Sequence, residues 1–118
     1  MAGHNETGKK GEKLAAEYLA GKGFTVLHRN WRYSRYEVDI IASKKNVLHF
    51  IEVKTRRSAS FGLPEDNADK KKIRNLAEAA EEFMTQNPGW KLIQFDILSV
   101  MLNNNGGAGF YFIEDVYV

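Results

Sequence analysis

Cysteine is absent, which excludes a disulfide framework, a thiolate metal site and a cysteine nucleophile. Proline occurs twice, at Pro64 and Pro88, and both positions read as breaks between elements rather than kinks within them. No apolar run approaches the roughly 20 residues that a spanning helix needs, so no membrane partner is expected. The opening stretch MAGHNETGKKGEK is polar and lacks the apolar segment of a secretory leader, so a cytoplasmic location is the expectation. Gly8, Gly11, Gly106, Gly107 and Gly109 make no nucleotide-binding loop: no G-K-[ST] follows a strand, and no Rossmann fingerprint is present. His4, His28 and His49 fall on three different elements without metal-ligand spacing and read as structural or surface residues.

The 118 residues suffice for a single domain, 1–118, and the balance of 43% hydrophobic and 27% charged residues is that of a globular protein. The net charge of +2 is small but unevenly spread. From Lys54 to Arg74 there are seven basic residues against three acidic ones, so this window carries +4 and the rest of the chain −2. Lys54, Arg56, Arg57, Lys70, Lys71, Lys72 and Arg74 thus form a basic stripe that reads either as a polyanion footprint or as a solvated loop and helix start.

Asn5 is placed to cap a helix running to about Gly21. Leu14, Ala15, Tyr18 and Leu19 give that helix an apolar stripe, and Glu12 lies on or beside the inward face. Gly21-Lys22-Gly23 ends it. Strands are predicted over Phe24–Tyr33, Glu37–Ala42 and Val47–Thr55, with turns at Ser34-Arg35 and Ser43–Asn46. The third strand is apolar on both faces, Leu48 and Phe50 on one and Val47, Ile51 and Val53 on the other, the pattern of a central strand. A long loop, Arg56–Asp69, precedes a second helix that starts at about Asn67 or Asp69 and runs to Gln86. A fourth strand, Trp90–Leu102, and a closing strand, Phe110–Val116, flank the flexible Asn103–Gly109 segment. The order α-β-β-β-α-β-β implies an α/β fold: an antiparallel meander, a crossover helix and a parallel fourth strand, giving a mixed sheet with a helix on each side.

Glu37, Asp39, Glu52 and Lys54 lie inside predicted strands, where charge is unusual. Side chains alternate along a strand, so Glu52 and Lys54 continue the buried row of Leu48 and Phe50 to the rim of the sheet. A carboxylate buried there costs several kcal/mol, roughly, unless it is paired or binds a metal. Adjacent strands lie about 4.8 Å apart, so Asp39 and Glu52 can converge on one hard cation, Mg²⁺ or Mn²⁺, with water completing the shell. Such an ion activates water and offsets charge in phosphodiester hydrolysis, and a neighbouring lysine can orient the water or stabilise the transition state. Glu12 is a further carboxylate for the same centre, and Glu37, which shares a side with Asp39, is a secondary candidate. The plainer alternative makes Glu52 and Lys54 a same-face ion pair and sets Asp39 against Arg35 or Arg56. Trp31, Tyr33 and Tyr36, interleaved with Arg32 and Arg35, read as base-stacking residues or as ordinary sheet packing. Asp96 either joins the site or ends a ladder.

Asp39 followed by Glu52-Val53-Lys54 resembles the PD-(D/E)XK nuclease motif, with Val38 where the superfamily's name has proline. The element order is similar to the restriction-endonuclease-like core. More closely, the stretches GKKGEKLAAEYL, GFTVLHRNWR, EVDIIA, FIEVKTRR, FGLPED, KKIRNLAEAA, FDILSV and FIEDVY resemble the YraN family of uncharacterised bacterial proteins over nearly the full length. That family is similar in fold and site layout to archaeal Holliday junction resolvases. The resemblance implies that Glu12, Asp39 and Glu52 are acidic site residues, that Lys54 is the site lysine, and that Lys72 is the basic residue at the start of the second helix.

Three functions follow as expectations. The first is a metal-dependent endonuclease acting on DNA, including branched or structured DNA. In it Asp39, Glu52 and the Val53 carbonyl hold the ion, Lys54 activates water, and the basic stripe contacts phosphates. The second is a catalytically silent nucleic-acid-binding module of the same fold. The third is an interaction protein whose charged cluster is only an ion-pair network. A cutter of branched DNA is expected to form a homodimer, with the aromatic positions near Trp31 as the candidate interface.

Overall fold

Helix α1 (Ala2–Gly21) is followed by β1 (Thr25–Tyr33), β2 (Tyr36–Lys44), β3 (Val47–Arg57), α2 (Lys70–Gln86), β4 (Leu92–Leu102) and β5 (Ala108–Ile113). The computed structural model describes residues 2–57 and 70–116, with side chains described over 7–57 and 74–116. The five strands make one sheet in the order β1-β2-β3-β4-β5. β3 and β4 run parallel while the other neighbours run antiparallel, so the sheet is mixed and α2 is the crossover. The order, the central place of β3 and the parallel fourth strand agree with the reading of the sequence.

The two faces of β3 serve two separate cores. On one side Ile51 packs with Ala15 and Leu19 of α1, Phe24, Ile40, and Leu98, Val100 and Leu102 of β4. On the other, Leu48 and Phe50 pack with Leu76, Ala79, Ala80 and Phe83 of α2. These alternating residues are fully or almost fully buried, so a one-residue slip of β3 would exchange both cores at once.

Local chemistry explains the element ends. Gly23 takes a left-handed conformation (φ 96°), and the Phe24 N–H reaches back to the Leu19 carbonyl at 3.0 Å, closing α1. Lys45 and Asn46 both have positive φ, 52° and 67°, the two-residue turn that matches strand twist and joins β2 to β3. Several boundaries differ from expectation. Helix α1 starts at Ala2, so Asn5 lies inside it rather than capping it; no proline interrupts its first turn. Helix α2 starts at Lys70, and most of the expected Arg56–Asp69 loop lies outside the described residues, while Arg56 and Arg57 extend β3. β5 starts early, at Ala108, because it pairs with Leu102 across a turn closed by the Asn103 N–H on the Gly107 carbonyl at 2.8 Å. It stops at Ile113, since Asp115 turns left-handed (φ 58°) and its N–H leaves the sheet for the Asp96 carboxylate at 2.9 Å.

Candidate active site at the fork between β2 and β3

The β2–β3 ladder runs from Lys44 opposite Val47 to Ile40 opposite Ile51. Beyond Ile51 the Val53 N–H is taken by a side chain: Asp39 Oδ2 accepts it at 2.8 Å. The N–H and C=O of one strand residue project to the same side, so the Val53 carbonyl also faces the gap that opens toward Asp39.

The chain around Asp39 is irregular. Strand alternation would put Val38 and Ile40 on one face, yet Val38 packs in the α2-side core and Ile40 in the α1-side core. On the neighbouring strand, between the Arg29–Ile40 and Trp31–Val38 rungs, Asn30 adopts a left-handed backbone (φ 55°). β2 therefore changes face at Asp39, and the carboxylate sits where the faces cross. It lines a cleft of about 800 Å³ together with Glu12, Asn30, Arg32, Val53 and Thr55. It also lines a second cleft, of about 320 Å³, with Glu52, Val53, Tyr36, Asn75 and Leu76.

Glu12 reaches the first cleft because α1 approaches β3 closely beside it. Gly11 is buried, and a Cβ there would meet Thr55 Oγ1 at 1.9 Å. Only a glycine fits at that crossing. On the far side of the sheet, Lys54 Nζ stands 3.3 Å from Glu52 Oε2, both side chains largely buried. Burial pushes the Asp39 carboxyl up to about 7; the Val53 N–H opposes the rise, and the charges of Glu12, Glu52 and Glu37 add to it. A carboxyl raised by burial and by neighbouring carboxylates gains from an added cation, and oxygen donors suit a hard ion. Among the described residues, no three histidine, aspartate or glutamate side chains are grouped closely enough to hold an ion by themselves. Asp39, Glu52 and Val53, the residues expected to carry the ion, do line one cleft together.

The other expected residues divide. Glu12 and Glu52 reach Asp39 through different clefts rather than sharing one. Glu37 forms an exposed ion pair with Arg32 at 3.4 Å, with little energetic weight. The ion pair expected as the plainer alternative for Glu52 and Lys54 is present, but Asp39 meets a backbone N–H instead of Arg35 or Arg56. Arg56 is half-buried at the end of β3, and Arg57 and Arg74 are exposed. The side chains of Lys70, Lys71 and Lys72 lie outside those described, although all three stand in the first turn of α2.

Trp31 is half-buried and packed edge-on against Phe83, which favours the sheet-packing reading. Tyr36 donates its hydroxyl to Glu78 of α2 and accepts from Arg35 at 3.3 Å, tying the β1–β2 turn to α2 at the cleft rim. Asp96 stands away from the fork, bonded to His49. Sequence reasoning missed Gly11, Asn30 and Asn75. A glycine inside a helix one residue before an inward glutamate was a usable signal for the first; the other two carried none.

The chain's relatives can be placed against this geometry. A family model described as "Uncharacterised protein family UPF0102" matches residues 11–100, from the buried glycine of α1 through β4. The chain belongs to that family. The UPF0102 family is the YraN family anticipated from the sequence motifs. A UPF0102 protein of Flavobacterium psychrophilum is 45% identical over 100 residues, covering 85% of this chain and 84% of the relative. One from Christiangramia forsetii is 41% identical over 117 residues, covering 99% and 98%. One from Dictyoglomus thermophilum is 42% identical over 104 residues, covering 87% and 88%. The matched region of this UPF0102 chain contains Glu12, Asp39, Glu52 and Lys54.

Proposed function

We propose that this UPF0102 protein is an endonuclease of the restriction-endonuclease-like type, dependent on Mg²⁺ or Mn²⁺, that hydrolyses phosphodiester bonds in DNA, branched or structured DNA included. The observation that carries the reading is Asp39: a carboxylate at a sheet fork, held by the Val53 N–H, its pKa raised to about 7, beside the Glu52–Lys54 pair. Asp39, Glu52 and the Val53 carbonyl would hold the ion. When bound, that ion supplies water activation and stabilises developing charge on the phosphate.

The remaining work falls to side chains. Lys54, drawn from Glu52 once that carboxylate is otherwise engaged, presents its ammonium to the attacking water or the phosphate oxygen. Glu12, across the other cleft, orders water on the opposite side of Asp39. Arg56, Arg57, Arg74 and the lysines at residues 70–72 contact phosphates and set register on the substrate. Symmetric cutting of a branched substrate calls for a homodimer.

A second reading has a specific observation behind it. The Glu52–Lys54 contact at 3.3 Å, which already pairs the site lysine, suits a catalytically silent nucleic-acid-binding module. One experiment separates the two. Duplex, single-stranded and four-way-junction DNA are incubated with Mg²⁺, Mn²⁺ or EDTA, using the wild type, Glu52→Gln and Lys54→Ala. Cleavage that needs the ion and is lost in both variants supports the enzyme. Salt-sensitive binding without cleavage supports the module, and cleavage undiminished in both variants sinks the site assignment.

A further inference from the structure

A second site lies at the other end of α1. Lys22 from the end of that helix, Lys44 and Lys45 from the β2–β3 turn, and His49 of β3 line a cleft of about 520 Å³, with Phe24 and Phe112 in its walls. Among the described residues, none of the three lysines has a carboxylate within ion-pair distance. Lys44 instead lies over the Phe24 ring at 5.0 Å, and Lys22 over the Tyr18 ring at 5.5 Å. Aromatic faces hold these ammonium groups at the cleft while leaving their hydrogen-bonding capacity unspent.

The base of the cleft is an oriented imidazole. His49 is 5% exposed and its Nδ1 is 2.7 Å from Asp96 Oδ2, the carboxylate being fully buried. Asp96 Oδ1 is separately committed to Gln94 Nε2 and the Asp115 N–H, each at 2.9 Å, so the carboxylate cannot turn away. This fixes the tautomer with hydrogen on Nδ1 and leaves Nε2 as the ring nitrogen for a ligand. Among the described residues Glu114 is the one acid lining the cleft, and it already accepts from Gln94 at 3.3 Å.

We infer that this cleft binds a phosphate monoester carried on a flat apolar body: a mononucleotide, or the phosphorylated end of a nucleic-acid strand. The ammonium groups of Lys22, Lys44 and Lys45 meet the phosphate oxygens. His49 Nε2 accepts a hydrogen bond from a hydroxyl of the ligand's sugar. The Phe24 and Phe112 rings give the base or sugar an apolar wall. The site is separate from the Asp39 fork, so it stands or falls independently of the nuclease reading.

The test is a titration of the isotope-labelled full chain, followed by nuclear magnetic resonance, with deoxyadenosine monophosphate, inorganic phosphate and adenosine. Saturable shifts of His49, Lys44, Lys45 and Gln94 signals are expected with the nucleotide, weaker ones with phosphate, and none with adenosine. The Lys44→Ala/Lys45→Ala variant changes the last residue of β2 and the first of the turn, and an amide spectrum unchanged away from the cleft checks its fold; it should bind at least about tenfold more weakly, the scale of one charge-assisted hydrogen bond. Equal binding of adenosine, shifts centred on Asp39 and Val53, or affinity unchanged in the double variant would each overturn the inference. A short single strand, with and without a 5′-phosphate, then distinguishes the sources. Tighter binding of the phosphorylated strand than of the mononucleotide identifies the strand end, and the reverse identifies the free nucleotide.

Discussion

Asp39→Asn tests the electrostatics of the fork directly. The wild-type carboxyl is raised from 3.8 to about 7 on folding, chiefly by burial. At 1.36 kcal/mol per unit this corresponds to about 4 kcal/mol of destabilisation when the group is ionised in both states, an upper value because relaxation and water entry reduce it. The sign is the reverse of the usual carboxylate case. Between about pH 4 and pH 7 the folded chain holds a proton that the unfolded chain has lost, so stability falls as pH rises through that window and levels off above it. Asparagine keeps an oxygen to accept the Val53 N–H and carries no charge. Urea unfolding of wild type and variant should therefore coincide near pH 4, with the variant gaining progressively to a plateau above about pH 7, by as much as about 4 kcal/mol. Taking the difference cancels the titrating groups remote from the fork. Saturating Mn²⁺ at about pH 8 should narrow the gap by stabilising only the wild type. Curves that stay parallel from about pH 4 to pH 8 would refute the account of a buried, uncompensated Asp39.

Gly11→Ala forces a Cβ into Thr55, at 1.9 Å from its Oγ1, and should lower stability by about 1–3 kcal/mol in urea titrations, with Thr55→Ser restoring part of the loss. Asp96→Ala strips the bonds from His49, Gln94 and the Asp115 N–H, and a cost of about 3–5 kcal/mol is expected by the same measurement. Ser99 carries a buried hydroxyl without a hydrogen-bond partner, so Ser99→Ala should leave thermal stability unchanged or raise it by about 1 kcal/mol. A clear loss there would mean the hydroxyl is satisfied in solution, by water for instance.

Period and punctuation made most of the fold legible. The two-sided apolar row of Val47–Thr55 identified a central strand, and it is the third of five. Asn87-Pro88-Gly89 ended α2 within one residue of its observed limit, because proline there cannot continue the helix. The start of α1 was missed because a good cap residue was available and the helix extends past it. The site was only partly legible. Alternation correctly set Glu52 and Lys54 on one row, but it assumes an unbroken pleat. The left-handed Asn30 and the face change at Asp39 break it, and they spread the acids over two clefts. Such breaks arise from how two strands accommodate one another, and a period-two pattern carries no trace of them. Asp96 shows the same limit: its ligands come from residues 49, 94 and 115, distances in sequence that no local pattern spans.

That separation bears on how the chain matures during synthesis. Asp96 is buried in the hydrogen-bonded centre of β4, yet one of its donors is the N–H of Asp115, and the next N–H, of Val116, bonds the Phe95 carbonyl at 2.8 Å. Before residues 115 and 116 have emerged, the carboxylate would have to enter the interior short of a donor, a penalty of about 1–3 kcal/mol. Against a total stability of only about 5–15 kcal/mol, that penalty holds a nascent sheet open. The closing bond forms only once residues 115 and 116 fold back on β4, so they act as a latch on the seam between β3 and β4.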